Sequence, residues 1–242
     1  MPRFFLDDIS GDEISVTGPD ARHMALALRM KPGERVIVCD GKNGEALCEI
    51  SSLTPELVRA RVLDRRPSGA EPSCRITLFQ ALPKSDKLEF IVQKAVELGA
   101  SAVVPVLSRN CVSRPDEGAM EKKLSRLKKI ADEAAKQSGR GALPEIGRLT
   151  PFREAVDDMA GRALPLFFYE HGSCSLRRAM ENYSGGEIAI MIGSEGGFDG
   201  DEAAYASEKG LAMLSLGPRI LRCETAPIAA LSAVLYATGN ME

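Results

Sequence analysis

The chain has 242 residues, 44% hydrophobic and 27% charged, with a formal net charge of −3. It is long enough for a sizeable core in one large or two small domains, and its composition is that of a soluble globular protein. No run reaches the roughly 18 apolar residues of a membrane helix, and the net charge alone does not suggest a nucleic-acid binder. The opening Met1-Pro2-Arg3-Phe4-Phe5-Leu6-Asp7-Asp8 turns acidic too soon for a secretory signal, so a cytoplasmic location is expected. The cysteines (Cys39, Cys48, Cys74, Cys111, Cys174 and Cys223) form no C-x-x-C pair, and the only histidines are His23 and His171. Neither a metal site nor a disulfide framework is expected; the thiols are read as small, reduced hydrophobes.

Residues 1–70 read as a small β-barrel domain. Ile14–Val16, Arg35–Cys39 and Ala46–Ile50 are strand-like, and Val58–Val62 alternates strictly. Asp40-Gly41-Lys42-Asn43-Gly44 is a hairpin signal. A short helix over Ala21–Leu28 opens at Pro19-Asp20. Arg65–Ser73, with Pro67, Gly69 and Pro72, reads as a linker.

Residues 74–242 then alternate strands and helices, the mark of an α/β domain. Strands are expected at Ile76–Ala81, Ala102–Val106, Leu164–Phe168, Ile188–Ile192 and Met213–Leu216. A helix over Asp86–Leu98 carries a capping box at Asp86 and Glu89 and stops at Gly99. Its apolar face is Leu88, Ile91, Val92, Ala95 and Leu98. Further helices are expected over Glu121–Gln137, Phe152–Met159, Ser175–Asn182 and Asp201–Lys209, the last capped by Asp199 and Glu202. Thr225 is expected to cap the final helix. Between Glu121 and Arg140 seven basic residues face three acidic ones, a basic stretch inside an acidic chain. Such a face is more often plain solvated surface than an RNA contact, and both readings are carried forward.

Three strand ends run into loops suited to a ligand. Ile192-Gly193-Ser194-Glu195-Gly196-Gly197 is rich in glycine, which permits positive φ and close approach of backbone N–H groups. It is neither a dinucleotide fingerprint nor a P-loop, and a tight structural turn explains the glycines as well. Leu216-Gly217-Pro218-Arg219-Ile220-Leu221-Arg222-Cys223-Glu224-Thr225-Ala226 places two arginines and a glutamate between a strand and a helix. Phe168-Tyr169-Glu170-His171 is the third. Open α/β sheets bind ligands outside the carboxyl ends of their strands, so one shared pocket is expected. Glu224 has an alternative role, satisfying free N–H groups at the start of the final helix.

These segments, with Met1–Phe5, His23–Met30, Gln93–Gly99 and Gln137–Arg140, resemble the 16S rRNA (uracil-N3)-methyltransferase family of the SPOUT superfamily, in order and over nearly the whole chain. Two positions depart from the family pattern: Ser194 stands where proline is usual, and Cys223 where threonine is usual.

The resemblance implies a C-terminal trefoil-knotted α/β domain, an N-terminal PUA-like β-barrel and a homodimer. It also implies S-adenosylmethionine bound by Phe168, Glu170, Ile192, Gly193, Glu195, Gly196, Gly197, Leu216, Gly217, Ile220, Leu221, Arg222, Thr225 and Ala226. The substrate would be 16S ribosomal RNA or the small subunit, met by Arg3, His23, Arg29, Lys122, Lys123, Arg126 and Arg140. Arg222 is the candidate for stabilising the uracil anion or gripping a phosphate, and Glu224 the candidate proton acceptor. Other readings are a SPOUT enzyme acting on another RNA, an RNA-binding protein without activity, and a phosphate-binding α/β enzyme. The matched N-terminal segments weigh against the first. The missing lysine and Mg²⁺-holding hydroxyl weigh against the last.

Overall fold

Alternation of side chains organises the first unit. Along β5 (Leu57–Pro67), Val58 and Ala60 are buried while Arg59 and Arg61 are exposed, as a half-buried strand requires. In the computed structural model, which describes residues 1–241, β5 pairs antiparallel with β2 (Glu13–Thr17) and β4 (Gly44–Leu53). β3 (Arg35–Cys39) pairs antiparallel with β4 through the expected hairpin, and β1 (Arg3–Phe5) runs parallel to β3. The hydrogen-bonded order is β1-β3-β4-β5-β2, packed on one core that includes Phe4, Val16, Met24, Val38, Ile50 and Val58. α1 (Gly18–Arg22) continues into a π-helical turn, His23–Ala27, that buries Met24 and leaves His23 exposed. Arg29, exposed just beyond it, has φ 52°.

The expected linker begins later than Arg65. Arg65, Arg66 and Pro67 still pair with Ala46, Glu45 and Gly44, and the Arg65 guanidinium donates to the carbonyls of Ile9, Ser10 and Gly11. This unit also includes Ala135–Leu143, and there a second expectation is corrected. Arg140 does not face solvent: it is 3% exposed, with Nη2 2.7 Å from Glu71 Oε2. The same carboxylate accepts the N–H groups of Gly141 and Ala142. Gly141 has no room for a side chain, since a Cβ would lie 2.3 Å from that of Ser68. Arg3 is likewise drawn inward, donating to Glu45 and to the Cys39 sulfur at 2.9 Å each. Both arginines serve the unit's own packing, which removes the expected RNA contacts from them.

The second unit comprises Pro72–Ala134 and the chain from Pro144 onward. Its main strands are β6 (Ile76–Ala81), β7 (Ala102–Leu107), β10 (Leu164–Phe168), β11 (Ile188–Ile192) and β12 (Ala212–Leu214). All pair in parallel, in the order β12-β10-β11-β6-β7, with the short β8 (Glu145–Ile146) and β9 (Thr150–Pro151) against β7. β11 is buried at every residue, which is why it reads as an unbroken apolar run and not as an alternation. The helices are α2 (Lys87–Glu97), α3 (Glu117–Ser138, whose last turn groups with the first unit), α4 (Phe152–Ala160), α5 (Leu176–Met180), α6 (Gly200–Glu208) and α7 (Thr225–Ala237). Among the described residues no helix is long and apolar enough to cross a membrane.

Helix caps divide instructively. The box at Asp199 and Glu202 forms as expected, and Glu202 also accepts the Arg109 N–H at 2.8 Å. The box expected at Asp86 does not form. Asp86 sits at φ −92°, ψ 9°, outside the extended conformation that aims a capping side chain, and makes no such bond; Glu89 instead pairs with Arg126 at 2.7 Å. On α2, Val96 is buried where Leu98 was expected, Leu98 being half-buried. Thr225 is the first residue of α7, and Glu224 occupies the cap position without a side-chain cap bond.

The Glu71 carboxylate satisfies several buried donors at once, so its loss leaves a buried guanidinium uncompensated. Glu71→Ala should cost about 3 kcal/mol, measured as a lowered midpoint in denaturant unfolding. A midpoint equal to that of the unmodified chain would contradict this account of Arg140.

Candidate active site

Parallel pairing of β12, β10, β11 and β6 puts their carboxyl ends side by side, and the following loops enclose a cavity of about 730 Å³. Most of the residues read from the three strand-end loops line it: Phe168, Glu170 and His171; Ile192, Gly193, Glu195 and Gly197; Leu216, Gly217, Ile220, Leu221, Arg222 and Ala226. Gly196 and Thr225 do not. A Cβ on Gly196 would lie 3.0 Å from Asn110 Cβ, and Asn110 Nδ2 donates to the Gly196 carbonyl at 2.9 Å. This glycine therefore serves loop packing, and a side chain there would press on Asn110 and not on a ligand.

Local chemistry shapes each wall. Gly197 N–H bonds the Ser194 carbonyl at 3.0 Å, with Gly197 at φ 63°, and a Cβ on Gly193 would meet Gly197 Cα at 3.2 Å. Gly217, at φ 94°, takes a conformation that side chains resist. Gly172 lets the loop after β10 lie against β12, since a Cβ would fall 2.3 Å from the Leu214 carbonyl carbon. Behind the glycine turn Phe198 packs on Phe167, ring centroids 4.4 Å apart. Gln80 Nε2 donates to the Gly193 carbonyl at 3.2 Å, tying β6 to the turn.

The most informative lining residue is one the sequence did not single out. Lys87 Nζ lies 3.0 Å from Glu195 and 3.2 Å from Glu224, and these carboxylates raise its pKa. Burial pulls the Glu195 carboxyl up, but hydrogen bonds from Lys87 and from the Lys84 N–H outweigh it and hold it below its ordinary 4.5. Hydrogen bonds from Cys223, from its own N–H and from Lys87 hold Glu224 low as well. The Cys223 thiol, 3.2 Å from Glu224 Oε2, is pushed up to about 12, first by burial and then by that carboxylate. Glu224 is thus an ion-paired carboxylate with lowered basicity, outside the cavity lining, which argues against the proton-acceptor role.

Two further residues of the strand-end loops, not assigned to the cofactor from the sequence, also line the cavity. Ser194 Oγ is buried there and, among the described residues, has no hydrogen-bond partner. Arg219 lines it too, and both Arg219 and Arg222 are exposed, without an ion pair or side-chain hydrogen bond among the described residues. On α3, Lys122 is exposed, Lys123 donates to the Ser85 carbonyl at 3.4 Å, and Arg126 is held by Glu89. Among the described residues no cluster of histidine, cysteine or carboxylate side chains is suited to a metal ion.

Fold and cavity together define an α/β protein with a ligand-sized cavity at the carboxyl ends of its parallel strands, joined to a β-domain. The chain matches the RNA methyltransferase domain over residues 70–235 and the RNA methyltransferase PUA domain over residues 16–63. It is 35% identical to the ribosomal RNA small subunit methyltransferase E of Bacillus subtilis, over 98% of this chain and 97% of that one. It is 31% identical to the enzyme of that name from Mycobacterium bovis, over 99% and 93%. The crystal structure of ribosomal RNA small subunit methyltransferase E from Neisseria gonorrhoeae, bound to S-adenosylmethionine, is 33% identical and superposes with a TM-score of 0.87 over 98% and 97%. The chain belongs to the ribosomal RNA small subunit methyltransferase E family.

Two outcomes follow from the charges at the rim. The carboxyls of Glu195 and Glu224 are depressed, so their contribution to stability is complete above the ordinary 4.5 and is lost only as pH falls below it. The loops should therefore hold through neutral pH. At about pH 8 the raised Cys223 should be inert to iodoacetamide in the native chain, while the more exposed Cys174 reacts. Peptide mass spectrometry after native and denatured labelling reads this; native labelling of Cys223 would contradict it.

Proposed function

We propose that this chain transfers a methyl group from S-adenosylmethionine to N3 of a uridine in small-subunit ribosomal RNA, acting in the cytoplasm as a homodimer. The observation that carries the reading is the cavity at the ends of β10, β11 and β12, with a buried, unpartnered Ser194 hydroxyl in its wall. The lining fits the cofactor. Backbone at Ile192–Gly193 and Leu216–Gly217 offers donors and acceptors, and Phe168, Leu221 and Ala226 offer apolar surface. When bound, the cofactor supplies an electrophilic methyl carbon on a sulfonium.

The protein's task is to align the uracil nitrogen and to ease loss of its imide proton. Arg222, at the cavity and unpaired among the described residues, is suited to stabilising the negative charge that spreads onto the uracil carbonyl oxygens. Glu224 is assigned to holding Lys87, which leaves the N3 proton to solvent. Outside the pocket, exposed His23, Arg29 and Lys122 are the RNA contacts we retain, with Lys123 and Arg126 available at the cost of their present partners. Phosphate contacts of this kind position RNA without specifying its sequence.

α7 supports both the dimer and the knot. It is apolar on nearly all sides, yet Ile228, Ala229 and Ala233 are only half-buried and Tyr236 is 68% exposed. Phe90 is also exposed, on the helix α2 that packs against α7. A second copy is the occupant we assign to this surface. We assign the knot to the segment 215–237, with α7 seated against α2, α5 and β11.

Labelled S-adenosylmethionine with deproteinised small-subunit RNA and with whole subunits, followed by mapping of the modified base, tests the reaction. Label at uracil N3 is expected, and its absence on both substrates would overturn the proposal. Arg222→Ala should lower turnover at saturating RNA by about 100-fold and RNA affinity by less. Unchanged turnover with weakened binding would make Arg222 a phosphate contact. Sedimentation at micromolar concentration should give twice the 26.0 kDa chain mass, and a clean monomer would refute the dimer.

A further inference from the structure

Lys87 opens α2, where unpaired N–H groups and the helix dipole disfavour a cation. Its compensation comes from two other elements. Glu195 Oε1, 3.0 Å away, belongs to the glycine turn after β11, and Glu224 Oε2, 3.2 Å away, belongs to the stretch between β12 and α7. The side chains of the three are 33%, 27% and 23% exposed, so the bridge is partly desolvated. Among the described residues no other cation pairs with either carboxylate. Of the remaining charged groups around the cavity, His171 lies 3.6 Å from Glu170, and Arg219 and Arg222 form no ion pair among the described residues.

We propose that Lys87 is a positioning residue whose charge ties the glycine turn to the loop before α7, fixing the width of the cavity before the cofactor enters. Without the cation, two carboxylates face one another across a partly dry gap and repel. The loops then separate, and the backbone groups around Gly193 and Gly217 no longer converge on one ligand. With it, the two walls are held in register in advance, which removes an ordering cost from binding. The role rests on reading the cavity as the S-adenosylmethionine site. It concerns the charge of Lys87, not the bulk of its stem, and so separates from a packing role.

The test is calorimetric titration of the full chain with S-adenosylmethionine, alongside thermal unfolding of each variant without cofactor. Lys87→Met should weaken binding about tenfold or more, and Lys87→Arg should stay within about threefold, since a guanidinium still spans both carboxylates. Adding Glu224→Gln to Lys87→Met should bring affinity back to within about threefold of the unmodified chain, because it removes the repulsion. Full affinity in Lys87→Met, or no recovery in the folded double variant, overturns the proposal. Should Lys87→Met not fold, Lys87→Gln keeps a polar stem without the charge, and undiminished affinity there also overturns it. If the unmodified chain itself gives no binding, the fault lies with the proposed function and not with Lys87.

Discussion

Parallel alignment of β12, β10, β11 and β6 is the constraint on which the pocket depends. It sends the polypeptide out of the same end of the sheet four times, so segments far apart in sequence must share a small volume there. Three of those exits form the cavity walls. The fourth, after β6, leads to α2 and delivers Lys87 to the rim. Glycines at the exits allow the walls to approach, and the Phe167–Phe198 contact gives the glycine turn a firm floor.

The parts of this arrangement legible in the sequence were those written in local pattern. Buried runs such as Ile188–Ile192 marked the strands, and glycine punctuation marked their exits. The Asp199 and Glu202 pair marked a helix start because both partners lie within one turn. What escaped was non-local. Nothing around Lys87 announces that its partners are Glu195 and Glu224, and nothing around Arg140 announces Glu71, which falls in a stretch that reads as linker. The same limit explains the capping box that did not form: Asp86 and Glu89 have the right spacing, but Arg126, from another helix, claims Glu89. Gly196 shows the converse error, a glycine in a ligand loop that exists to accommodate Asn110.

Charge is used economically. Much of the basic content is neutralised within the chain: Arg3 and Arg66 by Glu45, Arg109 by Asp199 and Asp201, Arg126 by Glu89, Arg140 by Glu71. A slightly acidic protein of this kind gains little from non-specific attraction to a polyanion, whose counterions it releases only where cations are free. Arg219 and Arg222 at the cavity are such cations. Selectivity then derives from where the free charges stand and not from their number, and that suits an enzyme that must bypass most of the RNA it meets.

The two ends of the methyltransferase unit are fastened to each other. The Ser73 N–H donates to Asn240 Oδ1 at 2.7 Å, a contact between residues 167 positions apart, and the Asn240 amide donates to Thr238 Oγ1 at 2.8 Å beside the buried Cys74. β6, the first strand of the unit to be synthesised, ends as a central strand flanked by β11 and β7. Such non-local closure is slow to form and leaves unpaired strand edges exposed until it is complete. On the ribosome, β6 and β7 can meet early, but the partner of β6 on its other side arrives much later and the Asn240 latch later still. Closure of this unit therefore waits on its own last segments, and β6 keeps one edge unpaired until β11 has been made.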